Sequence, residues 1–310
     1  MRPIAGGIFT MGSDRFYPEE APQRRVRVDD FWIDETLVTN RDFSRFVTAT
    51  GHVTVAEIPP DPHAYPDLPV EMAKAGSLVF VKPSGPVDMA DPSGWWRFVH
   101  GADWRHPTGS GSDIAGLDDH PVVHIAFADA EAYARWAGKA LPTEAEFEFA
   151  ARGGLDDADY AWGDNLAPDG QILANYWHGR FPFANLRLDG WEGTSPVRSF
   201  PANPYGAYDL IGNVWEWTQD WWADSPPSPT GTARKSCCAV SNPRGAKQFQ
   251  SYDPAQPGLR IGRKVIKGGS HLCAENYCQR YRPAARHPET IDTSTTHIGF
   301  RCVLRRPVSR

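Results

Sequence analysis

The chain holds 28 glycines and 28 prolines among its 310 residues. Glycine loses more entropy than other residues when a regular element forms, and proline removes a backbone donor. Both therefore steer a chain toward turns and irregular loops. The punctuation is heaviest between 155 and 263, where Pro, Gly, Asn and Asp stand among aromatic residues. The 12 Trp and 10 Tyr suit such a fold, because a large ring can pin a loop and still hydrogen-bond at its rim.

Regular signals are short. Arg25-Val26-Arg27-Val28 and Phe31-Trp32-Ile33 read as strands by alternation and β-propensity. Thr39 is expected to cap a helix through Thr50, with Phe43, Phe46 and Val47 as its apolar stripe and Gly51 as its stop. Asp129 is expected to cap a second helix, with Tyr133, Trp136 and Ala137 on one face and Gly138 at its end. Thr143 and Glu146 form a capping box that opens a third helix, running to Arg152 and stopping at Gly153-Gly154. Strand signals return at Val265-Ile266 and from Gly299 to Leu304. No internal repeat is visible, and Ser225-Pro226-Pro227-Ser228-Pro229 reads as an exposed loop rather than a linker. The pattern predicts one α+β domain over residues 1–310, with few helices, short strands and long ordered loops.

Net charge is −6 and the pI is about 5.9, so nothing suggests a nucleic-acid footprint. Arg24-Arg25 and Arg305-Arg306 read as solvated surface. No window approaches the roughly 20 apolar residues of a spanning helix, and no membrane partner is expected. Met1-Arg2-Pro3-Ile4 enters a strand-like pattern without a leader, which predicts a cytoplasmic protein if Met1 is the native start. Five cysteines form an odd, low count that argues against a disulfide-stapled secreted scaffold.

Two of these cysteines lie five residues apart, in Lys267-Gly268-Gly269-Ser270-His271-Leu272-Cys273-Ala274-Glu275-Asn276-Tyr277-Cys278. A disulfide is possible if the loop turns. Zinc needs four ligands, and only His271 stands nearby. Two thiolates alone suit a soft ion of low coordination number such as Cu(I). On residues alone, a disulfide or redox pair ranks ahead of copper. Hard oxygen donors cluster at Asn175-Tyr176 with Asp189-Gly190-Trp191, and again at Asp209, Gly212, Val214 and Glu216. Such groups suit Ca²⁺ in irregular backbone, and they suit ordinary Asx-turns and caps equally well. A bound cation would help offset the entropy of long loops.

The string Lys267-Gly268-Gly269-Ser270, Cys273, Cys278, Arg280-Tyr281-Arg282, followed by Ala284-Ala285-Arg286 and Gly299-Phe300-Arg301-Cys302, resembles the formylglycine-generating enzymes, or sulfatase-modifying factors, of bacterial type. Ile8-Phe9-Thr10-Met11-Gly12-Ser13, Leu141-Pro142-Thr143-Glu144-Ala145-Glu146 and Gly212-Asn213-Val214-Trp215-Glu216-Trp217 extend the resemblance along nearly the whole chain. It is weakest over 56–118 and 223–262. It implies a complex variant of the C-type-lectin-like fold. It also implies a copper-dependent oxidase that uses O₂ and a thiol reductant. Such an enzyme converts the cysteine of an extended Cys-x-Pro-x-Arg segment in a sulfatase polypeptide to Cα-formylglycine.

Under that resemblance Cys273 and Cys278 hold Cu(I), while Ser270, Trp215 and Tyr277 line the same pocket. One Ca²⁺ maps onto Asn175, Tyr176, Asp189 and Trp191, with Tyr176 and Trp191 acting through carbonyls. A second maps onto Asp209, Gly212, Val214 and Glu216, with Gly212 and Val214 acting through carbonyls. Asp209 stands where the family has Asn, and His297 also replaces an Asn. The disulfide positions of vertebrate members fall on Ala134, Ala151, Pro283 and Cys302, so Cys302 is expected as a buried free thiol. Cys237 and Cys238 are expected as surface thiols. Two other functions compete. One is a non-catalytic binding module of the same fold. The other is a related oxygenase acting on another thiol, such as an iron-dependent sulfoxide synthase with a helical His-x3-His-x-Glu site. His120 and His124 have that first spacing, but Pro121 disfavours a helix and residue 126 is Ala.

Overall fold

Helices form where the sequence supplies both ends. In the computed structural model, which describes residues 1–65, 68–224 and 239–305, helix α1 spans Asn40–Thr50. Thr39 accepts from the Asp42 N–H at its start, and Gly51 adopts a left-handed conformation at its end. Helix α2 spans Phe127–Trp136 and starts earlier than the sequence suggests. Ala126 is its N-cap, and Asp129 sits in the first turn. The Asp129 carboxylate accepts from the Ala126 N–H at 3.1 Å and also meets His52 Nε2 at 2.9 Å. It therefore ties the helix start to a neighbouring loop instead of opening the helix itself. Helix α3 spans Glu144–Arg152 with the expected capping box and a left-handed Gly153.

The strands, in chain order, are β1 Arg2–Ile4, β2 Gly7–Met11, β3 Arg24–Val28, β4 Phe31–Ile33, β5 Gly76–Phe80, β6 Trp96–His100, β7 Trp215–Trp221, β8 Val240–Ser241, β9 Arg263–Lys267, β10 Arg286–Thr290, β11 Ile298–Gly299 and β12 Val303–Arg305. They form small sheets of order β1-β4-β12, β10-β9-β7-β11 and β2-β3-β8, with β5-β6 as a hairpin. Two differences from the sequence reading have physical causes. Strand β7 is buried on both faces over most of its length, so it lacks the alternation that marks a half-buried strand. The expected strand over 299–304 is split, because Arg301 turns inward and grips Glu216 at 2.7 and 2.8 Å.

The main apolar core joins α1, α2, α3 and strands β1 to β4, β7, β9, β11 and β12, with Phe43, Trp104, Tyr133 and Phe300 packed ring to ring. Charges are buried in it as well. The Glu148 carboxylate accepts from the Gly12 N–H at 2.7 Å, from Arg152 at 2.8 Å and from Lys267 at 3.0 Å. Glu20 pairs with Arg282 and Glu144 with Arg286, all four side chains being buried. Among the described residues no helix is long and apolar enough to cross a membrane. Ser225-Pro229, Cys237, Cys238 and Arg306 lie outside the described residues.

Candidate active site

Strand β9 delivers Lys267 into the core, and the next two residues reverse the chain. Gly268 and Gly269 have φ of +91° and +73°, where a Cβ would lie 2.8 Å from Leu210 O and 2.6 Å from Arg280 O. Only glycine fits both the dihedral and the space. Beyond them Cys273 N–H donates to Ser270 O at 2.9 Å, and Cys278 N–H donates to Ala274 O at 2.8 Å. These two turns bring the sulfurs of Cys273 and Cys278 to 3.2 Å. A disulfide is about 2.05 Å long, so the pair stands as two free thiols.

The sulfurs face a cavity of about 360 Å³. Ser270, Trp215 and Tyr277, named from the sequence, line it together with both cysteines. Ser270 N–H points at Cys273 Sγ at 3.5 Å, and its hydroxyl accepts from Leu272 N–H at 3.2 Å. Tyr277 stacks on Phe181 with ring centres 4.4 Å apart. The sequence reading missed several walls. Leu78 and Trp96 come from the β5-β6 hairpin inside the weakly matching 56–118 stretch, while His287 and Glu289 come from β10. Period-2 alternation gave β10 no signal because Pro288 and charged residues interrupt it. His297, the noted departure, also lines the cavity, its ring 5.0 Å from that of Trp96.

The pocket is electrostatically uneven. The thiol of Cys273 and the guanidinium of Arg280, whose Nη1 lies 3.7 Å from Cys278 Sγ, favour the Cys278 thiolate and lower its pKa. Burial and the adjacent sulfur push Cys273 up. Partial burial in the cavity wall strips water from His287, Glu289 and His297. That desolvation lowers His287 to about 4 and lowers His297 as well, so both are neutral near pH 7. The same effect raises Glu289 to about 7.

Gly212 and Asn175, one from each expected calcium set, lie behind this turn. Gly212 N–H donates to Gly268 O at 2.9 Å, and Asn213 N–H donates to Asn175 O at 2.8 Å. Asn175 is buried and donates to Gly193 O at 2.9 Å, and Tyr176 is buried beside it. Asp189 Oδ1 accepts from Trp191 N–H at 3.0 Å. Its Oδ2 is buried without a hydrogen-bond partner among the described residues, as is His178 Nε2 at 3.6 Å from it. An orphaned carboxylate oxygen among amide and carbonyl groups fits a hard cation. In the second set Asp209 is buried and accepts from Arg198 N–H at 2.9 Å. Glu216 spends one lone pair of each oxygen on Arg301, so a cation would share it. Val214 is fully buried beside Gly212. No three His, Cys, Asp or Glu side chains converge as a metal cluster among the described residues. His120 and His124 sit in a loop, and both ring nitrogens of His124 are engaged, by Ser77 and by Pro107 O.

A family model described as the sulfatase-modifying factor enzyme 1-like domain matches residues 1–306. The formylglycine-generating enzyme of Mycobacterium tuberculosis is 53% identical over 307 residues, covering 99% of this chain and 97% of that protein. The formylglycine-generating enzyme of Mus musculus is 43% identical over 307 residues, 97% of this chain and 74% of that protein. PvdO from Pseudomonas aeruginosa shares the fold, with a TM-score of 0.61 over 98% of this chain and 93% of that chain at 22% identity. The loop-rich α+β architecture expected from the sequence is the one observed. The chain belongs to the formylglycine-generating enzyme family, the sulfatase-modifying factors.

Proposed function

We propose that the protein is a copper-dependent oxidase that converts the cysteine of a Cys-x-Pro-x-Arg segment in a client sulfatase to Cα-formylglycine. The observation that carries this reading is the pair of free sulfurs 3.2 Å apart on the wall of a cavity. The overall reaction balances as R–CH₂–SH + O₂ + 2e⁻ + 2H⁺ → R–CHO + H₂S + H₂O, with a thiol reductant supplying the two electrons. Cys273 and Cys278 would hold Cu(I), since thiolates favour that soft ion over hard ones. Bound there, the ion supplies affinity for a third thiolate, that of the client, and one-electron reactivity toward O₂.

The surrounding residues do the rest. Trp215, Trp96 and the Tyr277–Phe181 stack supply the apolar part of the cavity lining beside the sulfurs. The Ser270 amide orients Cys273, and its hydroxyl remains a short-range donor on the cavity wall. Neutral His287 and His297 add no positive charge to compete with the soft ion. Glu289, on the same cavity wall, keeps part of its proton population near pH 7 and would serve as a proton donor. The reading includes two structural Ca²⁺ ions, at Asn175, Tyr176, Asp189 and Trp191, and at Asp209, Gly212, Val214 and Glu216. The free thiols of Cys273, Cys278 and Cys302 suit a reducing compartment, and we place the activity in the cytoplasm.

The test loads the reduced protein with Cu(I) and incubates it in air with a thiol reductant and a Cys-x-Pro-x-Arg peptide. Mass spectrometry then follows exchange of sulfur and two hydrogens for one oxygen. Aldehyde is expected with the wild type and not with Cys273→Ser. Copper binding without turnover would point to a different thiol substrate. Absence of both would leave a binding module.

A further inference from the structure

Three arginines follow the cysteine pair, and the structure uses them differently. Arg282 donates to Gln279 O and forks onto Glu20. Arg286 forks onto Glu144 and also donates to Glu19 O and Ala223 O. Both are saturated ties between distant segments. Arg280 is not. Its Nη2 donates to Glu19 Oε1 at 2.5 Å, and its Nη1 points at Cys278 Sγ at 3.7 Å. Its Nε is buried with no partner among the described residues. The Tyr17 ring lies under the guanidinium at 3.9 Å, and Tyr17 Oη also accepts from the Gln279 N–H at 3.0 Å. A turn far back in the chain, Tyr17 to Glu20, thus presses one incompletely bonded cation against the outer sulfur.

We infer that Arg280 is a positioning residue for the sulfur pair. Clamped by Glu19 and Tyr17, it orients Cys278 and supplies the counter-charge for a bis-thiolate site. The inference rests on the copper reading above. Two thiolates around a monovalent ion leave a net charge of −1, and a client thiolate would make it −2. Such charge in a half-desolvated cavity is costly unless a cation lies beside it. Arg280 Nη1 reaches the outer sulfur at 3.7 Å, and a guanidinium beside a thiolate stabilises its charge without competing for the metal.

Anaerobic competition with the chromogenic chelator bicinchoninate measures Cu(I) affinity for the wild type, Arg280→Gln, Arg280→Lys and Glu19→Gln. Folding of each variant is checked by circular dichroism. Arg280→Gln is expected to weaken Cu(I) binding by about tenfold or more, the scale of a lost hydrogen bond to a charged group. Arg280→Lys, which keeps the charge, recovers most of that loss. Glu19→Gln keeps a side-chain oxygen that can accept from Arg280 Nη2, so the clamp stays while a negative charge is removed, and this variant binds Cu(I) at least as tightly as the wild type. Three outcomes overturn the inference while leaving the copper reading intact: Arg280→Gln within about threefold of wild type, a folded Arg280→Lys as weak as Arg280→Gln, or Glu19→Gln as weak as Arg280→Gln. A wild-type protein that fails to retain Cu(I) overturns both.

Discussion

Two regions meet at Gly268 and Gly269. On the inner side, Lys267 and Glu148 are buried with Arg152, and the charges answer one another at 2.8 to 3.0 Å. On the outer side, two sulfurs share one weak contact at 3.2 Å, and the arginine beside them keeps a donor unpaired among the described residues. The inner region is closed to any new ligand, whereas the outer one still has bonds to make. The difference suggests a division of labour. Saturated ion pairs hold the loop from behind, so that soft, under-bonded groups can be held in front without collapsing onto each other.

Substitutions on the two sides should therefore separate function from stability. Cys273→Ser is expected to bring turnover below detection while leaving the urea midpoint near that of the wild type. Glu148→Gln is expected to destabilise the fold by about 3–5 kcal/mol, because it strips a partner from two buried cations. A loss under about 1 kcal/mol in urea denaturation would break the comparison.

Acid sharpens it. Burial alone would raise the Glu148 carboxyl, but Lys267, Arg152 and the Gly12 N–H outweigh burial and hold it at about 2. A carboxyl depressed from an ordinary value near 4.5 contributes stability above that value, and the contribution is lost as pH falls toward 2. The gap in urea midpoint between wild type and Glu148→Gln should be full at pH 6 and narrow steadily below about pH 4.5. A gap unchanged at pH 3 would remove Glu148 from the lock.

Calcium tests the bracing between the two sides. Added Ca²⁺ at 100 times its dissociation constant should stabilise each occupied site by about 2.7 kcal/mol. Asp189→Ala should remove one such increment in thermal melts with and without chelator. The smallest effect expected is from Thr143→Ala, which deletes the α3 cap and should cost about 1 kcal/mol, with no change in Cu(I) affinity.

Legibility in the sequence followed the range of the interactions. Caps act within four residues, so Thr39, Gly51, Thr143 and Gly153 marked α1 and α3 correctly. Asp129 misled because its carboxylate serves a tertiary contact to His52 as well as the helix start. Ser270, Tyr277 and Trp215 were readable with the cysteine pair only through the family resemblance, and all of them line one cavity. The facing wall was not readable. Leu78, Trp96, His287 and Glu289 reach the cavity through sheet pairing, and neither periodicity nor spacing reports which hairpin will fold over which loop. Strand β7 escaped notice for a related reason, since burial on both faces erases the pattern that burial on one face creates.

The small sheet β1-β4-β12 sets Ile33 opposite Val303, and Val38 N–H donates to Phe300 O at 3.0 Å. Contacts that span almost the whole chain close slowly, because the entropy of a very long loop is lost before any of its contacts form. Pieces of short sequence separation, such as the β5-β6 hairpin and α3, close their contacts at lower entropic cost than the strand that seals the core. Refolding should accordingly pass through a compact species in which the β4–β12 seam is still open. Exposed core surface in that species would make dilution, more than temperature, the deciding variable for recovery of native protein.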